Sequence, residues 1–142
     1  MIYTPKTKAA LKLCFAAHKD QLDKSGLPYV FHPFHLAEQM QTEETTIVAL
    51  LHDVVEDTEY TLADLAAMGF EPVITDALAL LTHDDATPYM DYVRAIKENP
   101  VARAVKLADL KHNSDLSRLD VVDEKAMLRR EKYREAMALL EA

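Results

Sequence analysis

The sequence predicts an all-α domain, a compact bundle of about eight helices, and three observations predict it. The chain has only two glycines, Gly26 and Gly69, in 142 residues, too few for the frequent turns of an all-β fold. Helix-start signals recur: Thr4-Pro5, Thr87-Pro88 and Asn99-Pro100 each set a capping side chain before a proline at the first helical position. Apolar residues return at helical spacing, best in the last segment, where Tyr133, Ala136, Met137 and Leu140 fall at i, i+3, i+4 and i+7.

Taken in order, helices are expected over 5–20, 33–41, 43–55, 62–68, 72–81, 88–98, 100–116 and 123–141. The first carries Leu11, Cys14, Phe15 and His18 on one stripe. His32-Pro33 and Glu71-Pro72 are weaker versions of the proline start signal. The third contains TTIVALL, Thr45 to Leu51, which is β-branched at its start and apolar throughout. It reads as helix because the apolar run continues through Val55 and no strand partner is evident. Thr61, with Asp64 three residues later, forms a capping box, and Gly69 supplies a left-handed stop. The length fits a single domain spanning residues 1–142.

Composition narrows the function. Twenty-four acidic residues against 16 Lys+Arg give a net charge of −8, which argues against DNA or RNA as a partner held by net charge. It leaves room for a small basic or metal-holding pocket. The lone cysteine, Cys14, rules out an intrachain disulfide and a cysteine-based zinc site. No apolar run reaches membrane-spanning length and no leader pattern is read at the N-terminus, so a cytoplasmic protein without membrane contact is expected.

Two segments look buried yet carry charge. In IVALLHDVVEDT, Ile47 to Thr58, seven of the first nine residues are apolar and the exceptions are His52 and Asp53. In VARAVKLADLKHN, Val101 to Asn113, a polar stripe runs through Arg103, Lys106, Asp109 and Asn113. Buried unpaired charge costs several kcal/mol, so something must compensate His52, Asp53 and Asp109. One account is a self-satisfied His–Asp or Lys–Asp pair in the core. The other is a metal ion, which imidazole and carboxylate bind well; Asp109 and a further histidine would complete the shell. On a continuing helix Glu56 and Asp57 would lie over the same site. Spare carboxylates beside ligands suit metal-assisted hydrolysis, in which one takes a proton from water or positions it. A solvated acidic helix end is the other reading of Glu56 and Asp57.

The motifs AHKDQLDKSGLPYVFHP (Ala17 to Pro33), ALLHDVVEDT (Ala49 to Thr58) and VKLADLKHN (Val105 to Asn113) together resemble the HD superfamily of metal-dependent phosphohydrolases. More narrowly they resemble the ppGpp hydrolase domains of RelA/SpoT-type proteins and the small alarmone hydrolases. The resemblance covers most of the chain, with the motifs in the family's order. It implies an all-α HD bundle, with His32, His52, Asp53 and Asp109 as ligands of a divalent ion, usually Mn²⁺. It implies Glu56 and Asp57 as the catalytic carboxylates, and Lys24, Ser25 and Asn113 as lining the nucleotide pocket. The implied reaction is hydrolysis of the 3′-pyrophosphate of ppGpp, a small-molecule nucleotide, to GDP and pyrophosphate. Alternatives are an HD phosphohydrolase acting on a nucleoside monophosphate or a 2′/3′-phosphorylated nucleotide, or a non-catalytic nucleotide-binding module.

The chain departs from the family pattern at recognition positions. Asp23 stands where an arginine commonly precedes the lysine of KSG, and an aspartate neither stacks on a base nor carries positive charge. After KLAD two further arginines are missing, since Leu110, Lys111, His112, Asn113, Ser114 and Asp115 follow. Arg103 and Lys106 are the remaining candidates to contact substrate phosphates; for Lys106 an ion pair with Asp109 is the equal alternative. His18 reads as a hydrogen-bonded core residue, and His35 and His112 as structural groups or neighbours of the ligands. His83-Asp84-Asp85 reads as a solvated loop that could reach the pocket mouth. Arg129, Arg130, Lys132 and Arg134, interleaved with Glu131 and Glu135, read as a solvated helix face.

Overall fold

The computed structural model describes residues 1–142. Its elements are α1 (Pro5–His18), α2 (Phe31–Glu38), α3 (Glu43–Leu51), α4 (Val54–Asp57), α5 (Leu62–Ala67), α6 (Pro72–Leu81), α7 (Tyr89–Lys97), α8 (Pro100–Asn113), a 3-10 turn (Leu116–Arg118) and α9 (Glu124–Glu141). There is no sheet; one isolated antiparallel bridge, Leu22 to Pro28, closes the α1–α2 loop around Gly26 at φ +79°.

Several caps act as the sequence predicts. Thr4 accepts from the Thr7 amide, Asn99 from the Ala102 amide, and Thr61 and Asp64 form the reciprocal box. Gly69 takes φ +99°, a left-handed stop that a side chain disfavours. Thr87 is different. The carbonyl of Thr87 accepts from His83 Nε2 at 2.9 Å, its amide bonds Asp84, and α7 starts one residue after Pro88 with no side-chain cap. In α1 the buried stripe is Thr7, Ala10, Cys14 and His18, while Phe15 is 59% exposed. The polar helix expected over 100–116 ends at Asn113.

α3 is the central element. Residues 46–51 are buried on every side, and α3 packs against α1, α2, α6 and α8. This explains why TTIVALL shows no amphipathic period. One core of 24 buried residues joins these helices, and α9 closes it against α7 and α8.

The helix expected over 43–55 breaks at His52 and Asp53. The Nδ1–H of His52 donates to the Ala49 carbonyl at 2.7 Å, an acceptor that a continuing helix would offer to the next turn. Asp53 then sits at φ −104°, ψ 1°, and α4 starts at Val54. The buried polar pair therefore lies at a break, at the inner end of the most deeply packed helix.

Candidate active site

Three helices bring the polar residues together. The first turn of α2 carries His32, the end of α3 carries His52, and α8 carries Asp109; they are 4%, 4% and 7% exposed. His32 Nε2 lies 2.9 Å from Asp109 Oδ1, and His52 Nε2 lies 3.6 Å from the same oxygen. One ligand atom from each falls within 4.8 Å of the others, a spacing that suits one metal ion. The break after α3 turns Asp53 inward, with its Oδ2 3.0 Å from His52 Nε2, and the Tyr29 hydroxyl donates to that Oδ2.

The donor set fits a cation. Because His52 Nδ1 donates to the Ala49 carbonyl, the neutral ring aims a bare lone pair from Nε2 at two carboxylates. This buried nitrogen has no hydrogen-bond partner. Lone pair facing lone pair is repulsive, so a proton or a metal must sit between them. Burial alone would lower the His52 pKa, but the Asp53 and Asp109 carboxylates override it and hold the ring well above its ordinary value. Burial opposes the charge on Asp109 too, and the Lys106 ammonium at 3.0 Å together with the two imidazoles holds its carboxyl well below the usual range. Asn113 Nδ2 donates to Asp109 Oδ1 at 3.0 Å, so the outer lone pairs of the carboxylate are also satisfied.

Glu56 and Asp57 do not stack over this cluster as a continuous helix would place them. Glu56 Oε1 accepts from the His83 amide at 2.8 Å and faces a polar cavity of about 140 Å³ that also contacts Lys106, Asp109 and Asn113. The His83 loop thus reaches the site through its backbone. Asp57 lines neither that cavity nor the larger one; burial, with the Asp53 and Glu56 charges, pushes its carboxyl up to about 6.

A second cavity, about 340 Å³, opens beside His32 and is lined by Lys24, Ser25, Asn113, Arg118 and Arg129 among others. Asp23 builds its rim. The Asp23 Oδ1 accepts the amides of Ser25 and Leu27, both at 2.9 Å, folding the loop that presents Lys24. Ser25 Oγ donates to the Arg118 carbonyl at 2.7 Å, tying this loop to the 3-10 turn.

Of the residues singled out in the sequence, Arg103 is not brought to either cavity. Its Nε donates to the Leu140 carbonyl at 2.5 Å and anchors the end of α9. Three residues in the site escaped the sequence reading. Tyr29 lies within the motif AHKDQLDKSGLPYVFHP, and its signal is a phenol three residues before the buried His32. Arg118 and Arg129 reach the larger cavity from the 3-10 turn and from α9. Arg129 carried no signal, since it is interleaved with acids like any solvated face.

No family model matches the sequence. The guanosine-3′,5′-bis(diphosphate) 3′-pyrophosphohydrolase MESH1 of Mus musculus is 38% identical over 120 residues, covering 73% of this chain and 66% of the relative. The solved structure of a metazoan ortholog of SpoT that hydrolyzes ppGpp superposes with a TM-score of 0.73 at 25% identity, covering 99% of this chain and 85% of that one. The chain belongs to the HD-type ppGpp hydrolase family. The long relatives match over one part only: the GTP pyrophosphokinase of Streptomyces coelicolor is 37% identical over 109 residues, 68% of this chain but 13% of its own length. SpoT of Escherichia coli is 34% identical over 112 residues, 68% and 16% respectively. No helix is long and apolar enough to cross a membrane.

Proposed function

We propose that this chain is a metal-dependent phosphohydrolase that removes the 3′-pyrophosphate of ppGpp, releasing GDP and pyrophosphate, with residues 1–142 acting as one HD domain. The observation that carries this reading is the buried His32–His52–Asp109 cluster, whose bare Nε2 calls for a cation and whose edge opens on a cavity holding Lys24 and two arginines. The similarity to MESH1 and to the metazoan SpoT ortholog, both ppGpp hydrolases, supports the choice of substrate.

In this reading His32, His52, Asp53 and Asp109 hold a divalent ion, Mn²⁺. Bound there, the ion would supply an acidified water and a positive charge at the scissile phosphoryl group. Tyr29 orients Asp53, and Lys106 and Asn113 orient Asp109, so the ligands are set before substrate arrives. Glu56, fixed by the His83 amide, takes or positions the proton of the attacking water, and Asp57, outside both cavities, acts through its charge on Asp53 and Glu56. Lys24, Ser25 and Asn113, with Arg118 and Arg129, bind the nucleotide and its phosphates; Lys106 adds positive charge at the smaller cavity, beside Asp109. The chain acts on a small nucleotide without DNA, RNA or membrane, and the buried free thiol of Cys14 suits a reducing cytoplasm.

Asp23 favours a second reading, the same chemistry on another 2′/3′-phosphorylated nucleotide or on a nucleoside monophosphate, because this rim lacks the arginine that would stack on guanine. Product analysis separates the two. Protein with Mn²⁺ is incubated with ppGpp, nucleoside monophosphates and 2′/3′-phosphorylated nucleotides, beside Asp53→Ala. GDP and pyrophosphate from ppGpp, absent with Asp53→Ala, is the expected outcome. Orthophosphate from another nucleotide, with ppGpp untouched, would replace the substrate and keep the chemistry.

A further inference from the structure

The two imidazoles of the cluster are held by different partners, and the difference assigns a role to a third. His52 gives its Nδ1–H to a backbone carbonyl, the usual anchor of a metal-binding imidazole. His32 has no such carbonyl. Its Nδ1 lies 2.7 Å from Nδ1 of His112, with the two ring planes 3° apart and their centroids 5.0 Å apart. Parallel rings stacked face to face would keep their atoms about 3.5 Å apart or more. A 2.7 Å contact between parallel rings therefore puts them edge to edge in nearly one plane, the geometry of a direct N–H···N hydrogen bond.

Two nitrogens facing each other need one proton between them. When Nε2 of His32 gives its lone pair to an ion, the neutral ring must carry its proton on Nδ1. His112 Nδ1 must then be the acceptor. We infer that His112 is a positioning residue of the metal centre: it accepts the Nδ1–H of His32, fixing that ring's tautomer and aiming Nε2 at the ion.

The surroundings hold His112 to this task. Arg118 donates to its backbone carbonyl at 2.9 Å, and the exposed ring of His35 packs over it at 4.1 Å between centroids. His112 sits at the last turn of α8, three residues beyond Asp109, so one helix supplies both a ligand and the anchor of a second ligand. The role rests on the proposed metal site.

The test is calorimetric titration of the metal-stripped protein with Mn²⁺, in wild type, His112→Phe and His112→Asn. Phenylalanine keeps a ring against His35 and removes the acceptor. Asparagine puts its amide oxygen near the place of Nδ1. The expected result is a weakening of Mn²⁺ binding by about 10–100-fold in His112→Phe, and recovery to within about threefold of wild type in His112→Asn. Unchanged affinity in His112→Phe, with wild type binding normally, overturns the role. So does equal weakening in both variants, which would mark His112 as packing alone. Failure of wild type itself to bind Mn²⁺ would overturn the metal site, and this inference with it.

Discussion

His32, His52 and Asp109 are almost wholly buried where α2, α3 and α8 meet. Lys24, Arg118 and Arg129 reach the neighbouring cavity from a loop, a 3-10 turn and the last helix, and each keeps some contact with solvent. The two regions share His32 and Asn113, yet their charges are held differently. In the cluster both oxygens of Asp109, both ring nitrogens of His32 and Nδ1 of His52 have fixed neighbours, and Nε2 of His52 has no hydrogen-bond partner. In the cavity Arg118 is tethered by two hydrogen bonds, and the side chains of Lys24 and Arg129 by none. A buried charge must be compensated and so leaves a mark in the sequence; a solvated one need not.

The largest effect is expected where compensation is tightest. Asp109→Asn removes the charge that pairs Lys106 at 3.0 Å and that the proposed site gives to the ion. Mn²⁺-dependent product release should fall to background, and calorimetry should show no metal uptake. Retained Mn²⁺ binding in this variant would move the metal away from the cluster.

Glu56→Gln separates chemistry from metal binding. Glutamine can still accept the His83 amide through Oε1, so the local structure is preserved. The kcat should fall by about 10²–10⁴-fold, the range for losing a positioned general base, with Mn²⁺ affinity changed by less than about threefold. A kcat within a factor of about three of wild type would return Glu56 to the solvated helix end.

Arg129→Ala probes the looser region. One charge-assisted contact to a phosphate corresponds to roughly a tenfold change, and it should appear in KM, with kcat held. The same change in kcat alone would place Arg129 at the reacting phosphorus. The loss in KM should also shrink at high salt, since this side chain is open to solvent.

The legibility of the sequence follows the same division. Caps and proline positions gave the helix order, because each is a local hydrogen-bonding requirement written in adjacent residues. His52, Asp53 and Asp109 stood out because charge in an apolar run demands an explanation. The break after His52 is hidden: a side chain bonding the carbonyl three residues back, at Ala49, depends on where α3 is packed, and the residue types alone permit a longer helix. The failed cap at Thr87 has a local origin: within the same loop the His83 side chain bonds the Thr87 carbonyl. Arg129 entered the cavity only because α9 folds back onto α7 and α8, a contact between segments far apart in the chain.

Asp57 lines neither cavity, and its proton reports instead on the folded state. Its folded value, about 6, lies above the ordinary 3.8, because burial and the neighbouring carboxylates disfavour the charge. A raised carboxyl pKa favours the folded state fully below 3.8, and that contribution is lost as the pH rises through about 6. Metal-free wild type should therefore lose urea resistance across this window, and Asp57→Asn should lose less. Parallel pH profiles for the two proteins would show that Asp57 is solvated like any surface acid.

The smallest expected effect tests the departure from the family pattern. Asp23→Arg restores the residue type common in relatives, and a reading based on motifs alone expects tighter nucleotide binding. The structure predicts the reverse. Asp23 Oδ1 accepts two backbone amides, from Ser25 and Leu27, and a guanidinium accepts none. Losing such a side-chain-to-amide cap costs about 1 kcal/mol in comparable settings. The loop carrying Lys24 and Ser25 should loosen, so KM should rise by a fewfold while kcat and Mn²⁺ affinity hold. Asp23→Asn, whose amide oxygen can accept the same two amides, should stay near wild type. If Asp23→Arg instead lowered KM, the arginine would be contributing to recognition more than the folded rim does, and the solvated cavity would be open to redesign from the family pattern in a way the buried cluster is not.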